Sequence, residues 1–167
     1  GTGKSALART VAHLWNLNTV EFAFTGETAK SDLTAVRQLH QGSTQWSAQA
    51  FLEAVQSGYL IIINEYNTAY PDVHSVINGL FDKAGLITLP DGSEIRAHHD
   101  FRLIATGFPD GPGVKPLNEG VENRFGAIIA LNYPPYEEER SILEFVAEGR
   151  MERASLKGIA ELASISR

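Results

Sequence analysis

Cysteine is absent from the 167 residues, so neither a disulfide nor a thiolate metal centre can form, as suits a reducing compartment. Positive charge is scarce: 14 Lys and Arg stand against 20 Asp and Glu, for a formal net charge of −6. No basic run offsets this, so nucleic acid is not an expected partner. Long hydrophobic runs are lacking too. The longest, Tyr59 to Ile63, falls far short of the roughly twenty residues a membrane helix needs, and no membrane association is expected. No secretory leader is recognisable, and a cytoplasmic location is the expectation. A hydrophobic content of 43% is ordinary for a globular domain with an adequate core.

What the chain does have, at its very start, is glycine beside lysine. Gly1-Thr2-Gly3-Lys4-Ser5 matches the second half of the phosphate-loop pattern G-x-x-x-x-G-K-[ST]. The first glycine of that pattern falls about three residues before Gly1, so the sequence reads as a piece of a longer chain. Glycines let successive backbone N–H groups turn inward around a polyphosphate with no Cβ in the way. Lys4 would bring a mobile positive charge to the β- and γ-phosphates, and the Ser5 hydroxyl would ligate Mg²⁺. The segment Ala6 to Leu14 is a good helix former whose N-terminal dipole would face the same phosphates. The plain alternative for these five residues is an ordinary glycine turn before a helix; it is the weaker reading, and the rest of the chain lowers it further.

Further along, Thr19 to Phe24 alternates and is rich in β-formers, which predicts a strand. Gly26 to Thr44 is polar and reads as a loop with a short helix over Thr34–Leu39. Trp46 to Gln56 carries apolar residues at helical spacing and is ended by Ser57-Gly58. Tyr59 to Ile63 is a continuous apolar run of strand length, as in a strand buried on both faces of a parallel sheet. Pro71 to Lys83 reads as a helix with proline in its first turn and Gly85 past its end. Leu86–Leu89 and Glu94–Ala97 flank Asp91-Gly92 and predict a hairpin. Phe101 to Thr106 is a second buried strand, Pro116 to Arg124 a short helix and Gly126 to Leu131 a further strand. After Pro134-Pro135, Tyr136 to Glu148 is an amphipathic helix. Alternating strands and helices imply a parallel, doubly wound α/β sheet.

A site that cleaves a γ-phosphate needs one group to hold the metal's water shell and another to orient the attacking water. Both belong at the C-terminal end of a buried strand. Asn64-Glu65 stands there. Glu65 fits the water-activating base, and Asn64 takes the metal-side position as a neutral dipole acting through water. On charge alone, Asn64→Asp is expected to strengthen the metal shell and raise turnover. Thr106 ends the neighbouring strand and could sense the γ-phosphate, whereas the Phe108 side chain cannot hydrogen-bond. Arg124 is the strong candidate for a cation reaching phosphate from outside; a helix-terminal arginine stabilised by the dipole is the plain alternative.

Lys4-Ser5, Leu60 to Glu65, Phe101 to Thr106 and Leu117 to Phe125 resemble, in order and spacing, an AAA+ ATPase. Asn64-Glu65-Tyr66-Asn67, the hairpin around Pro90-Asp91-Gly92 and Leu131-Asn132-Tyr133-Pro134 resemble its MoxR and dynein-related branch. The small AAA+ subunit of cobaltochelatase is similar as well, with a D-E-Y-D segment in place of Asn64-Glu65-Tyr66-Asn67. The resemblance implies a P-loop NTPase core over residues 1–133, its first strand lying before Gly1 in the middle of the sheet. Over 134–167 it implies the start of a small helical lid. It places Gly1, Thr2, Gly3, Lys4, Ser5 and Ala6 in the Walker A loop and Asn64-Glu65 at the Walker B pair. Phe108 falls at the sensor-1 asparagine and Arg124 at the arginine finger, with Thr106 beside them. ATP and Mg²⁺ are the implied cofactors, a homo-oligomeric ring of six subunits the implied assembly, and a von Willebrand A-type protein a possible partner.

Two classes of function follow. One is a chaperone-like ring ATPase that remodels a protein partner or assists metal insertion. The other is a nucleotide-binding assembly subunit with weak or no hydrolysis, favoured by Asn64 and Phe108. A phosphate-loop kinase fits the Asn64-Glu65 tandem and the late Arg124 poorly. His98-His99-Asp100 is not expected to bind metal, because neighbours in a strand point to opposite faces. Trp15 and Trp46 are expected in the core on helical apolar faces. Glu137-Glu138-Glu139 is expected to cap a helix N-terminus.

Overall fold

A computed structural model describes residues 2–34, 36–40, 43–47 and 50–147; Gly1 and residues 148–167 of the expected lid lie outside the described residues. The element order is α1 (Lys4–Leu14), β1 (Thr19–Ala23), α2 (Lys30–Thr34), β2 (Val36–His40), β3 (Ser43–Ser47), α3 (Ala50–Ser57) and β4 (Leu60–Asn64). A 3₁₀ turn (Tyr66–Thr68), α4 (Pro71–Phe81), β5 (Leu86–Thr88), β6 (Glu94–Arg96), β7 (Arg102–Ala105), α5 (Glu119–Glu122) and α6 (Tyr136–Ala147) complete it.

The frame is a parallel sheet in the order β1-β4-β7. Its centre, β4, is apolar at every position but the last, which suits a strand covered on both faces. Ile61 and Ile63 join Phe51 and Val55 of α3 and Val73 and Ile77 of α4 in the main core. Leu60 and Ile62 face the other way, onto Ala8 and Ala12 of α1. Each buried Leu, Ile, Val or Phe side chain among these contributes about 1.5–3 kcal/mol by leaving water. Small alanines let α1 lie close to the sheet, and that closeness brings its first turn to the end of β4. In register, Ala23 pairs with Asn64 and Ile63 with Ala105, so the three strands stop at one level.

Several local expectations fail. Thr34–Leu39 is not a helix: α2 ends at Thr34, and β2 pairs antiparallel with β3. His40 pairs with Ser43, so two residues join the strands, a connection of hairpin length that the polar composition obscured. The helix expected from Trp46 begins only at Ala50, and Trp46 belongs to β3. Trp15 is not in the core; it caps the C-terminus of α1 and is 69% exposed. Gly126–Leu131 forms no strand. Ile128 and Ile129 are exposed, since a β-prone segment without a neighbouring ladder has no backbone partners to hold it as a strand.

Residues Gly3–Ile128 form one compact unit, and the described chain from Ile129 onward belongs to another. In the latter, α6 carries Glu137, Glu138 and Glu139 in its first turn, where acid residues favour the helix dipole. Arg140 pairs along the same helix with Glu137 and Glu144.

Candidate functional site

The first turn of α1 and the ends of β4 and β7 meet within the larger unit. Gly3 caps α1 at φ 77°, a left-handed backbone that favours glycine, and no side chain caps the helix. A Cβ built there would meet nothing within 4 Å. Ser5, in the first turn, donates its hydroxyl to Asn64 Oδ1 at 2.5 Å. Thr106, buried past the end of β7, donates its own hydroxyl to the same oxygen at 3.2 Å. The structure thus brings Lys4, Ser5, Asn64 and Thr106 to one end of the sheet. Gly1 lies outside the described residues.

A fifth member was not anticipated. Glu21 of β1 accepts a hydrogen bond from Asn64 Nδ2 and holds Arg9 of α1 in a fork, at 2.9 Å from Nε and 2.7 Å from Nη2. The arginine fork is the main cause that draws the Glu21 carboxyl below its ordinary value; desolvation opposes it and the Asn64 amide reinforces it. Strand alternation was the available signal: Glu21 stands two residues before Ala23, the register partner of Asn64, and so shares its face.

Glu65 faces elsewhere. It is exposed, with φ 57° and ψ 37°, a left-handed conformation unusual for a side chain of its size. It borders a groove of about 530 Å³ together with Thr25, Gly26, Thr68, Tyr70 and Lys115. Lys115 lies over the Tyr70 ring at 4.2 Å from its centroid.

Phe108 is held by its backbone. The Asn67 side chain accepts from Phe108 N–H at 3.2 Å and donates to Phe108 C=O at 2.7 Å. Gly107 makes the clamp possible, because a Cβ there would come within 2.7 Å of Asn67 Oδ1. The ring so positioned lies under Lys4, with Nζ 4.5 Å from its centroid, a cation–π contact. Arg124 is not in this group. Its guanidinium reaches Asp82 at 3.3 Å and the Gly120 carbonyl.

At His98, His99 and Asp100 the expected strand geometry is absent. They form a turn rather than a strand, with Phe101 N–H donating to the His98 carbonyl. The two rings lie 4.1 Å apart, and one ligand atom from each of the three residues falls within 4.8 Å of the others.

Hydroxyl, amide and carboxylate oxygens at the Ser5–Asn64–Glu21 corner, beside a glycine-led helix start and a lysine, form a hard donor set that fits Mg²⁺ and phosphate. A parallel sheet with such a helix against its central strand is the α/β fold of P-loop proteins. The AAA domain of the dynein-related subfamily matches residues 1–125, and the chain belongs to that family.

Relatives agree with this. The chain is 28% identical over 169 residues to the aerobic cobaltochelatase subunit CobS of a Sinorhizobium species, across 89% of this chain and 49% of that one. It is 30% identical over 138 residues to YojN of Bacillus subtilis, across 80% of this chain and 45% of that one. The chain therefore spans about half the length of these relatives. A crystal structure of a candidate ATPase from Cytophaga hutchinsonii superposes with a TM-score of 0.68 at 22% identity, across 96% of this chain and 50% of that one, which supports the fold. No helix among the described residues is long and apolar enough to cross a membrane.

Proposed function

We propose that this chain is the ATP-binding part of a ring-forming AAA+ ATPase that works on a protein partner or in metal insertion. The observation that carries the reading is the 2.5 Å hydrogen bond from Ser5 to Asn64, which ties the helix start to the end of the central strand. Gly1 to Ala6 would wrap the phosphates, with Lys4 leaving the Phe108 ring to reach them. Bound Mg²⁺ would neutralise phosphate charge at Ser5 and, through water, Asn64. Glu65 would take the proton of the attacking water, and Thr106 would orient the same region. The cobaltochelatase relative supports metal insertion as one outlet for the ATP cycle. A cytoplasmic location and a von Willebrand A-type partner belong to the same reading.

Arg124 would serve a neighbouring subunit, in a head-to-tail ring of about six copies. A finger supplied in trans contributes roughly a thousandfold or more in rate. Mixing Lys4→Ala with Arg124→Ala, each inactive alone, should restore partial activity in mixed rings. Mixed oligomers without recovered activity would confine Arg124 to its own chain.

A nucleotide-binding assembly subunit with weak turnover is the second reading. The lysine over Phe108 and the uncharged Asn64 favour it. Calorimetry of ATP binding to the full-length protein and its Lys4→Ala variant tests what the two readings share. Affinity should drop sharply in the variant, and an unchanged value rejects both. The steady-state ATPase rate of the wild type then separates them.

A further inference from the structure

We propose that Glu21 and Asn64 together do the work of one metal-side carboxylate, with Glu21 as the positioning residue that orients and polarises the Asn64 amide. The inference rests on the reading of Ser5 and Asn64 as a nucleotide–Mg²⁺ site.

Both ends of the amide are committed. A carboxylate can only accept, so Asn64 must present its nitrogen to Glu21, leaving its oxygen for the hydroxyls of Ser5 and Thr106. Donating its N–H to a carboxylate pushes electron density through the amide onto the oxygen and makes it a better acceptor, since bonds in a chain polarise one another. The negative charge that position 64 lacks thus stands one hydrogen bond behind it, on the adjacent strand. Arg9 keeps Glu21 in place by its two-pronged grip, and its side chain, at 61% exposed against 31% for Glu21, turns more of its charge to water than the carboxylate does.

This arrangement reverses the expectation from charge alone. Asn64→Asp in the presence of Glu21 would set two carboxylates of like charge in contact, with no hydrogen between them to share as the Asn64 amide now provides. An amide at 64 and a carboxylate at 21 are therefore complementary, and so would be the exchanged pair, Asp at 64 and Gln at 21.

The ratio of ATP Kd in EDTA to that in Mg²⁺, measured by calorimetry on the full-length protein, isolates the metal contribution without any turnover. Glu21→Gln should shrink the ratio about tenfold, the low end for losing a group behind a metal ligand. Asn64→Asp should not exceed the wild type, and Glu21→Gln/Asn64→Asp should return to the wild-type ratio or above. A shared melting temperature across the four proteins separates this from unfolding. A ratio unchanged by Glu21→Gln, or raised by Asn64→Asp alone, overturns the inference while leaving ATP binding intact. A wild type whose ATP affinity ignores Mg²⁺ does the same. A wild type that binds no ATP in either condition overturns the nucleotide reading, and the inference with it.

Discussion

Asn64 and Glu65 are neighbours in sequence and opposites in surroundings. Asn64 is fixed from three elements at once, by Ser5 of α1, Glu21 of β1 and Thr106 after β7. Glu65 is exposed, bends the chain into a left-handed conformation and borders an open groove. The backbone explains the split: Asn64 is the last residue of β4 and stays in register with Ala23, whereas Glu65 lies past the strand and its left-handed turn leads into the 3₁₀ segment. One position is held on three sides, and the other is open to solvent. The two should therefore respond to substitution in different currencies, Asn64 in binding and Glu65 in rate.

The contrast breaks most visibly at Glu65. Glu65→Gln should lower the ATPase rate by about two to four orders of magnitude, the range for losing a general base, while ATP affinity stays near the wild-type value. A rate assay with calorimetry checks both, and a large fall in affinity would mean that Glu65 belongs to the pinned side.

A smaller effect, on stability, is expected at the clamp under Phe108. Asn67→Ala leaves two backbone groups of Phe108 without their partner and should cost about 1–3 kcal/mol in chemical denaturation. Thr106→Val removes a single 3.2 Å hydrogen bond and should cost about 0.5–1.5 kcal/mol. If Thr106→Val proves the more costly, the Asn64 corner depends on Thr106 more than its geometry indicates.

The gentlest test is acid. Burial is the first cause that draws His74 below its ordinary value of 6.5, in a site where its ring stacks on Tyr66 at 4.4 Å. The fold thus holds the imidazole neutral, while the unfolded chain takes up a proton as pH falls through 6.5. Stability should be level above that value and decline below it, toward the lower value in the fold. Urea midpoints between roughly pH 7.5 and 5.5 would show the slope, and His74→Gln should flatten it.

Much of this was legible from local signals. The apolar run before Asn64, Pro71 at the start of α4 and Asp91-Gly92 in the hairpin each dictate structure through their own chemistry. The misreadings share a cause. Val36–His40 and Ser43–Ser47 are strands because of each other, and Gly126–Leu131 is not one for want of a ladder; pairing is a property of two segments. Trp15 was assigned by helical spacing to a helix that stops one residue earlier. Glu21 escaped notice for the same kind of reason. Its meaning comes from register with another strand, 43 residues away from it at Asn64, and no window on the sequence contains both.

The backbone at Glu65 also bears on any attempt to toughen the protein. A left-handed angle on a side-chain-bearing residue costs on the order of 1–2 kcal/mol, and glycine would be relieved of most of it, less its own greater disorder when unfolded. A screen that rewards survival at high temperature would thus be drawn toward Glu65→Gly. It would harvest a hardier protein stripped of the carboxylate that faces the groove. If Glu65 is the proposed base, heat resistance and turnover would be set against each other at one dihedral angle, and variants selected by melting alone should be sequenced at this codon before their activity is believed.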